Sequence, residues 1–228
     1  HWHRGTRFGH GHLRSSEGWT YEGGFNTNTR HGYGCIDYPD GSMYLGQWYY
    51  DKKEGRGVII SELRDIYKGD VVNGIKEGFG EMLYADGSRH VGIFKGNHRN
   101  GKGIFRDSDG TEYYGTFIED RQHGEHVMKF MIPIEEEGQD NFEIRIGVFD
   151  MGEFKKWKLK YANPQVTKQF VKLFTEDKAM FDSVYSMVVA KNLPNVPEGV
   201  DRNDPEVKEI LKRIRNDAGG LVGQGAKL

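Results

Sequence analysis

Cysteine, long apolar runs and an excess of one charge are all scarce or absent in this chain of 228 residues. The single cysteine, Cys35, excludes a disulfide within the chain and is typical of a reducing compartment. No apolar run approaches the roughly 18 residues that a membrane-spanning helix needs, so none is predicted. The formal net charge is −2, so there is no general basic field for nucleic acid, and no nucleic-acid partner is predicted.

The sequence also lacks the motifs of common catalytic sites. It contains no Gly-x-Ser-x-Gly, no phosphate-binding P-loop, no Cys-x-x-Cys and no His-Glu-x-x-His. Gly-x-Gly pairs are frequent, but no helical pattern follows them, so they are not dinucleotide-binding loops. We therefore predict no catalytic residue, no cofactor and no enzymatic activity.

Histidines near the N-terminus are the nearest approach to a metal site. The cluster consists of His1, His3, His10 and His12. His31 and His123 show that histidine is simply common before the repeated glycine described next. We predict no metal site.

Glycine, in contrast, is abundant and regularly spaced, with 32 glycines in the chain. The stem Tyr21-Glu22-Gly23 returns every 23 residues, and a second glycine signal follows 11 residues after each stem begins. The stems begin at Tyr21, Tyr44, Tyr67, His90 and Tyr113, and the second signals begin at Gly32, Gly55, Gly78, Gly101 and Gly124. A fixed period of this length indicates a tandem array of one supersecondary unit.

Each repeat has the alternating pattern of β-strands. Tyr44, Gly46 and Trp48 alternate with other residues, which places the three on one face of a strand. Asp-Gly pairs such as Asp86-Gly87 separate the repeats and are strong turn signals. The pattern predicts a mainly β fold: an elongated, single-layer, twisted antiparallel meander of tandem 23-residue hairpins. Strand glycines would let aromatic rings of neighbouring strands lie over the vacated positions.

The pattern Tyr-x-Gly-x-Trp, His-Gly-x-Gly and Tyr-x-Asp-Gly resembles the MORN (membrane occupation and recognition nexus) repeat. The clearest copy runs from Tyr21 to Gly41, and the resemblance covers about residues 1–130. Four positions depart from it. Leu63-Arg64 replaces an Asp-Gly pair, Val71 replaces the Trp or Phe, and His126 replaces a glycine.

The array predicts two domains. Residues 1–157 would be the hairpin array, with a partial repeat at 1–20, full repeats at 21–130 and a degenerate closing hairpin at 131–157. We expect the chain to be a fragment of a longer protein, because it opens inside a repeat. Residues 158–228 would hold amphipathic helices and a flexible tail, since the period there becomes helical.

Three surfaces are candidates for binding. The first is an aromatic stripe whose rings either meet a partner or pack on one another: Tyr21, Phe25, Tyr44, Trp48, Tyr67, Phe94, Tyr113 and Phe117. The second is the last helix, which either caps the array or docks a partner through Val207, Ile210, Leu211 and Ile214. The third is a basic run that is either an anionic-lipid contact or a solvated junction: Lys155, Lys156, Trp157, Lys158 and Lys160.

The resemblance implies a function. Proteins with such repeats include radial-spoke head components of cilia, basal-body and cytoskeletal collars, and junctional membrane tethers. We therefore expect a non-enzymatic intracellular scaffold of the cilium axoneme or cytoskeleton that binds other proteins of a multi-subunit assembly, with pairing of two copies left open. The alternatives are a membrane-apposition module that binds phospholipid and the regulatory array of a larger enzyme.

Overall fold

The computed structural model describes residues 2–3, 5–131 and 142–159, with the backbone alone for Trp2, His3, Met131, Phe142 and Leu159. The chain divides into two compact parts, residues 1–192 and 193–228, and every described residue lies in the first. The predicted C-terminal helices and tail lie outside the described residues, as does part of the predicted closing hairpin. The domain boundaries stay predictions.

The described residues form β-strands that follow one another along the chain. Their bounds are β1 Trp2–His3, β2 Thr6–Arg7, β3 Gly9–Arg14, β4 Thr20–Asn26, β5 Thr29–Asp37, β6 Met43–Tyr49, β7 Lys52–Ile60, β8 Ile66–Val72, β9 Ile75–Leu83, β10 Arg89–Lys95, β11 His98–Arg106, β12 Glu112–Ile118, β13 Arg121–Met131, β14 Phe142–Asp150 and β15 Glu153–Leu159.

These strands confirm the predicted fold class. Strands β3 to β15 form one antiparallel sheet of 13 strands in which each strand pairs with its sequence neighbours, while β1 and β2 pair separately. The sheet is not closed, because β3 and β15 lie at its two edges. Hydrogen bonding between consecutive strands follows from the regular 23-residue repeat of turn and strand signals.

Each repeat contains two different turns. Within repeat 2, β6 and β7 are joined by Tyr50 and Asp51, whose φ angles of 46° and 67° define the two-residue hairpin turn that matches strand twist. The Asp-Gly pairs lie in the longer connections between repeats. Before β6, Gly41 has a φ of 82° and its N–H donates to the Tyr38 carbonyl over 3.0 Å. The sequence therefore marked the connection between repeats more clearly than the hairpin turn itself.

A continuous row of glycines crosses the sheet. Glycines pair with glycines from β3 to β11, and Gly115 on β12 extends the row. The row consists of Gly11, Gly23, Gly34, Gly46, Gly57, Gly69, Gly80, Gly92, Gly103 and Gly115. Because a glycine has no side chain, this row leaves a shallow channel that other side chains can occupy.

The first glycine of each second signal allows a backbone conformation that other residues rarely adopt. The pairing register shifts by a bulge within each hairpin, as it does between Gly46 and Gln47 opposite β7. Gly55, on the bulged side, has a φ of 69°, a left-handed conformation that glycine adopts without strain. The Gly-x-Gly signal therefore combines one glycine for backbone conformation with one for space.

Candidate interaction surface

Aromatic rings fill the channel above the glycine row. The Tyr67 ring lies over Gly69 of its own strand and Gly80 of the next strand, where a Cβ would come within 2.5 to 2.6 Å of the phenol oxygen. The Tyr67 hydroxyl donates to the Asp70 carbonyl over 2.8 Å, at the bulge. Tyr21 and Tyr44 repeat this arrangement with the carbonyls of Gly24 and Gln47.

The rings contact one another edge to face. Tyr21 lies between Phe25 and Trp48, with ring centroids 5.2 and 5.3 Å away, and Trp48 then contacts Tyr44 at 5.4 Å. Val71, which has no ring, interrupts the series. It resumes edge to face through Tyr67, Phe94, His90, Phe117, His126, Phe149 and Phe154. The last pair, Phe154 and Trp157, is tilted, with an angle of 53° between the rings. Edge-to-face pairs of this kind are each worth about 0.5–1.5 kcal/mol beyond area burial.

This packing buries most of the predicted aromatic stripe. Seven of its eight side chains are only 0–6 % exposed, and the eighth, Tyr113, is half-buried. The seven are Tyr21, Phe25, Tyr44, Trp48, Tyr67, Phe94 and Phe117. Such burial is expected where the rings pack on one another. A role of these rings in binding a partner stays a prediction.

In the last two repeats a histidine ring, rather than a tyrosine ring, lies over the glycine row. His90 lies over Gly92 and Gly103 as the tyrosines do, and no hydrogen bond reaches either of its ring nitrogens. In repeat 5, His126 stands at a glycine position and its ring occupies the space over Gly115. Burial lowers the pKa of His90 to about 3 and that of His126 to about 4, so both are neutral at physiological pH.

Tyr113, whose usual place is taken by His126, lies in a polar corner instead. It interacts with Asp107, and burial raises the Tyr113 pKa to about 12. Burial and the neighbouring Asp109 raise the pKa of Asp107 to about 6. A groove of about 320 Å³ opens beside this corner, and Arg99 and Asp120 are among its lining residues.

A row of cations runs beside the rings, and the sequence reasoning missed it. The row has one basic residue in each repeat at 23-residue intervals: Arg7, Arg30, Lys53, Lys76 and Arg99. Each of these lies over an aromatic ring on the same face as the glycine row, at 5.2 Å from Phe25, 4.4 Å from Trp48, 5.1 Å from Tyr44, 5.8 Å from Tyr67 and 5.2 Å from Phe117, respectively. The 23-residue spacing was visible, but the bulge hides these positions from a simple alternation rule.

The backbone at each member of the cation row is joined to the hairpin turn of the following repeat. The Arg30 N–H donates to the Asp51 carboxylate over 3.0 Å, and the Asp51 N–H donates to the Arg30 carbonyl over 2.9 Å. The Arg30 side chain adds an ion pair to Asp51 at 2.8 Å. We call this set of bonds the turn clasp. It recurs between Arg99 and Asp120.

In the middle of the cation row, the turn clasp supplies no carboxylate to pair with the cation. Lys53 meets Gly74 and Lys76 meets Asn97, so neither has a carboxylate in its clasp. Within the described part of the chain, neither lysine forms an ion pair. Burial lowers the pKa of Lys76, while Asp120 and Asp65 act in the opposite direction.

Apolar side chains are exposed along the hairpin-turn edge of the sheet. Tyr49, Tyr50, Val72 and Ile75 are 40–58 % exposed and belong to two neighbouring turns. We call these four residues the turn-edge patch. His31 contacts both of its tyrosine rings, at 5.4 and 4.9 Å. A groove of about 460 Å³, lined by residues that include His31 and Tyr49, adjoins the patch.

The predicted lipid contact lies partly within β15. Lys155 pairs with Glu153 at 2.6 Å, and Lys158 pairs with Glu125 at 2.7 Å. Trp157 packs against Phe154, with ring centroids 4.7 Å apart. Lys160 and the predicted helix dock of Val207, Ile210, Leu211 and Ile214 lie outside the described residues. Both binding roles stay predictions.

Two features are absent from the described part of the chain. Over residues 2–3, 5–131 and 142–159, no group of three or more His, Cys, Asp or Glu side chains is placed to hold a metal ion. The same stretches contain no helix with the length and apolarity that crossing a membrane requires.

A tandem array of hairpins with a glycine row under stacked rings defines the class of this protein. The protein-family model of the MORN repeat matches residues 21–43, 44–62, 67–89 and 90–112. Residues 21–62 and 67–112 are therefore similar to MORN repeats, in the phase set by Tyr21, Tyr44, Tyr67 and His90. The fifth repeat, in which His126 occupies a glycine position, lies outside the matched residues.

Comparison with solved structures finds slight likenesses. The TCP10 domain of Danio rerio CPAP is 13% identical, with a TM-score of 0.38, over 67% of this chain and 68% of that one. The same domain in complex with a peptide of Danio rerio STIL is 15% identical, with a TM-score of 0.27, over 65% and 67%. These likenesses are too slight to bear on function. Comparison with curated proteins finds no match.

Proposed function

We propose that this chain is a non-catalytic scaffold that binds other proteins of a multi-subunit assembly. The observation that carries the proposal is the turn-edge patch. The sheet buries the stem rings over its own glycines, yet it leaves Tyr49, Tyr50, Val72 and Ile75 exposed on adjacent turns. Exposed apolar side chains grouped in this way are typical of protein-binding surfaces, and tyrosine is enriched among the residues that dominate binding energy.

The setting that we propose is cytoskeletal, with the cilium axoneme as the specific location, because MORN repeats resemble those of radial-spoke heads and basal-body collars. A repeat array suits this role, since each repeat contacts only its neighbours and offers the same chemistry at regular intervals. Pairing of two copies is part of the same proposal.

Proximity labelling in ciliated cells tests the proposal. The test variant is Tyr49→Ser/Tyr50→Ser/Val72→Thr/Ile75→Thr, which removes apolar surface and leaves the buried rings in place. The matched control is Leu63→Ser, since Leu63 is exposed in a connection between repeats and lies outside the patch. We expect the wild type and the control to label the same axonemal proteins, and the patch variant to lose them while its circular dichroism is unchanged. Identical labelling by all three would contradict the proposal.

Two further arms separate the alternatives. Removal of residues 161–217 would cost labelled neighbours without unfolding if the predicted helices dock a partner, and would unfold the array if they cap it.

Vesicles with phosphatidylserine test the lipid-binding role of Lys155, Lys156, Trp157, Lys158 and Lys160. Tight, salt-sensitive vesicle binding without protein neighbours would replace the scaffold with the membrane module. A catalytic domain in the full-length protein would make the array regulatory.

A further inference from the structure

We propose that the cation row binds an extended acidic peptide whose carboxylates recur at every third residue. The inference rests on the proposed scaffold function and names the partner chemistry of a second surface, on the ring-bearing face. The row begins at Arg7 and ends at Arg99. The next position after Arg99 in the 23-residue series, Gln122, is neutral.

Spacing selects the conformation of the peptide. Arg30, Lys53, Lys76 and Arg99 lie on β5, β7, β9 and β11, whereas Arg7 lies on β2, outside this sheet. Successive cations from Arg30 to Arg99 are therefore separated by two strands, which is about 9.6 Å at the usual strand spacing. A polyproline II helix rises about 3.1 Å per residue with three residues per turn, so every third side chain points the same way at intervals of about 9.3 Å. In a β-strand, side chains on one face recur at about 6.7 Å and soon fall out of step with the cations.

Charge selects an acidic partner. At two of the five positions the cation is already neutralised, by Asp51 at Arg30 and by Asp120 at Arg99. At the other three, the clasp residue is Asn28, Gly74 or Asn97, none of which carries a charge. Three of the five cations therefore have no carboxylate in their clasp, among them the adjacent pair Lys53 and Lys76, although Asp65 and Asp120 act on Lys76 from further away.

The surroundings of these two lysines suit a polyproline II ligand. Lys53 lies over Tyr38 and Tyr44, at 4.9 and 5.1 Å, and Tyr38 is only partly buried. Tyr84, two repeats after Tyr38, is also partly buried against the aromatic core. Polyproline II peptides dock on aromatic-lined grooves, because flat rings pack well against their preformed backbone.

A membrane fits these cations less well than a peptide does. All five cations are half-buried, with their charged groups held against the rings. A single extended chain can follow such a recessed row, whereas the headgroups of a planar bilayer meet the most exposed cations first. Lys52 and Lys95, on the turns, are exposed cations of that kind.

The test measures binding of two fluorescent peptides of equal length, charge and composition by anisotropy. One peptide has Glu at every third position and the other at every second, both in a Pro- and Ser-containing background. We expect the every-third peptide to bind about tenfold more tightly, and Lys53→Gln/Lys76→Gln to abolish that preference and weaken its binding about tenfold. The matched control, Lys52→Gln/Lys95→Gln, removes the same charge from the turns and should change binding less than about twofold.

Three outcomes would overturn the inference. The peptides bind equally well, the control weakens binding as much as the test variant, or phosphatidylserine vesicles bind through Lys53 and Lys76 while neither peptide does. Circular dichroism and urea unfolding verify that the variants fold. The peptide-binding test and the proximity-labelling test can fail separately. If the peptide inference fails but the turn-edge variant still loses its labelled neighbours, the scaffold proposal stands.

Discussion

The ring of Tyr67 occupies the space that a side chain at position 80 would need. A Cβ built on Gly80 would lie 2.6 Å from the Tyr67 hydroxyl oxygen. We expect Gly80→Ala to destabilise the sheet by about 3 kcal/mol, at the upper end for overpacking, because the buried Tyr67 ring, whose hydroxyl is hydrogen-bonded to the Asp70 carbonyl, resists displacement. The measurement is the shift of the urea unfolding midpoint.

Gly32→Ala is the informative control for Gly80→Ala. Nothing lies within 4 Å of a Cβ at position 32, but Gly32 has a φ of 81°. Its cost is conformational alone, about 1 kcal/mol. Equal costs at the two positions would show that the ring does not fill the channel.

Acid should destabilise the protein through its buried histidines. The folded-state pKa values of about 3 for His90 and about 4 for His126 lie below the unfolded value of about 6.5. Between those values the unfolded chain binds more protons than the folded one, so stability is fully present above pH 6.5 and falls as the pH is lowered. For His90 the loss is about 1.4 kcal/mol per pH unit across that window.

His90→Tyr should remove part of this acid sensitivity. A tyrosine there would lie over Gly92 and Gly103 as Tyr67 lies over its glycines, and it has no charge to acquire in acid. The measurement is the free energy of unfolding from pH 7 to pH 4. His12→Gln, at an exposed position, should leave the profile unchanged. An unaltered profile for His90→Tyr would contradict the assignment.

Alkali should act through the stem tyrosines. Burial raises the pKa of Tyr21, Tyr44 and Tyr67 above the ordinary value near 10. The unfolded chain therefore loses these protons first, so their contribution to stability is present below pH 10 and is lost as the pH rises further. We expect phenolate absorbance from these rings to appear only together with loss of the sheet signal. Ionisation without unfolding would contradict the burial.

The turn clasp makes a prediction that separates shape from charge. Asp51→Asn keeps an oxygen acceptor for the Arg30 N–H, as Asn28 and Asn97 do in their own clasps, so its cost should stay below about 1 kcal/mol. Asp51→Ala loses that acceptor at a φ of 67° and should cost about 2 kcal/mol. Both variants lose the ion pair, so a cost for Asn as large as that for Ala would show that the ion pair outweighs the hydrogen bond. Urea unfolding measures both.

The repeat pattern predicted the meander because glycine and aromatic signals recur without slippage. It also predicted that rings would lie over strand glycines, as Tyr44 does over Gly46 and Gly57. It left open whether those rings meet a partner, because the answer depends on edge-to-face contacts such as Tyr21–Trp48 between repeats. Spacing within one repeat carries no information about such contacts.

The cation row escaped prediction for a related reason. The register shift after Gly23 places Arg30 opposite Phe25, on the ring-bearing face. Counting alternate residues along a single strand does not reveal a bulge, so the cation and the ring were assigned no relationship. Comparing equivalent positions across all repeats would have found the row.

Hydroxyl-radical footprinting with mass spectrometry tests the central claim most directly, because it reports the solvent exposure of individual tyrosines in the intact chain. We expect strong oxidation at Tyr49 and Tyr50 and protection at Tyr21, Tyr44 and Tyr67, which lie over the glycine row. Oxidation of the three stem tyrosines to the same extent as Tyr49 and Tyr50 would show that the rings face solvent, and would contradict the account.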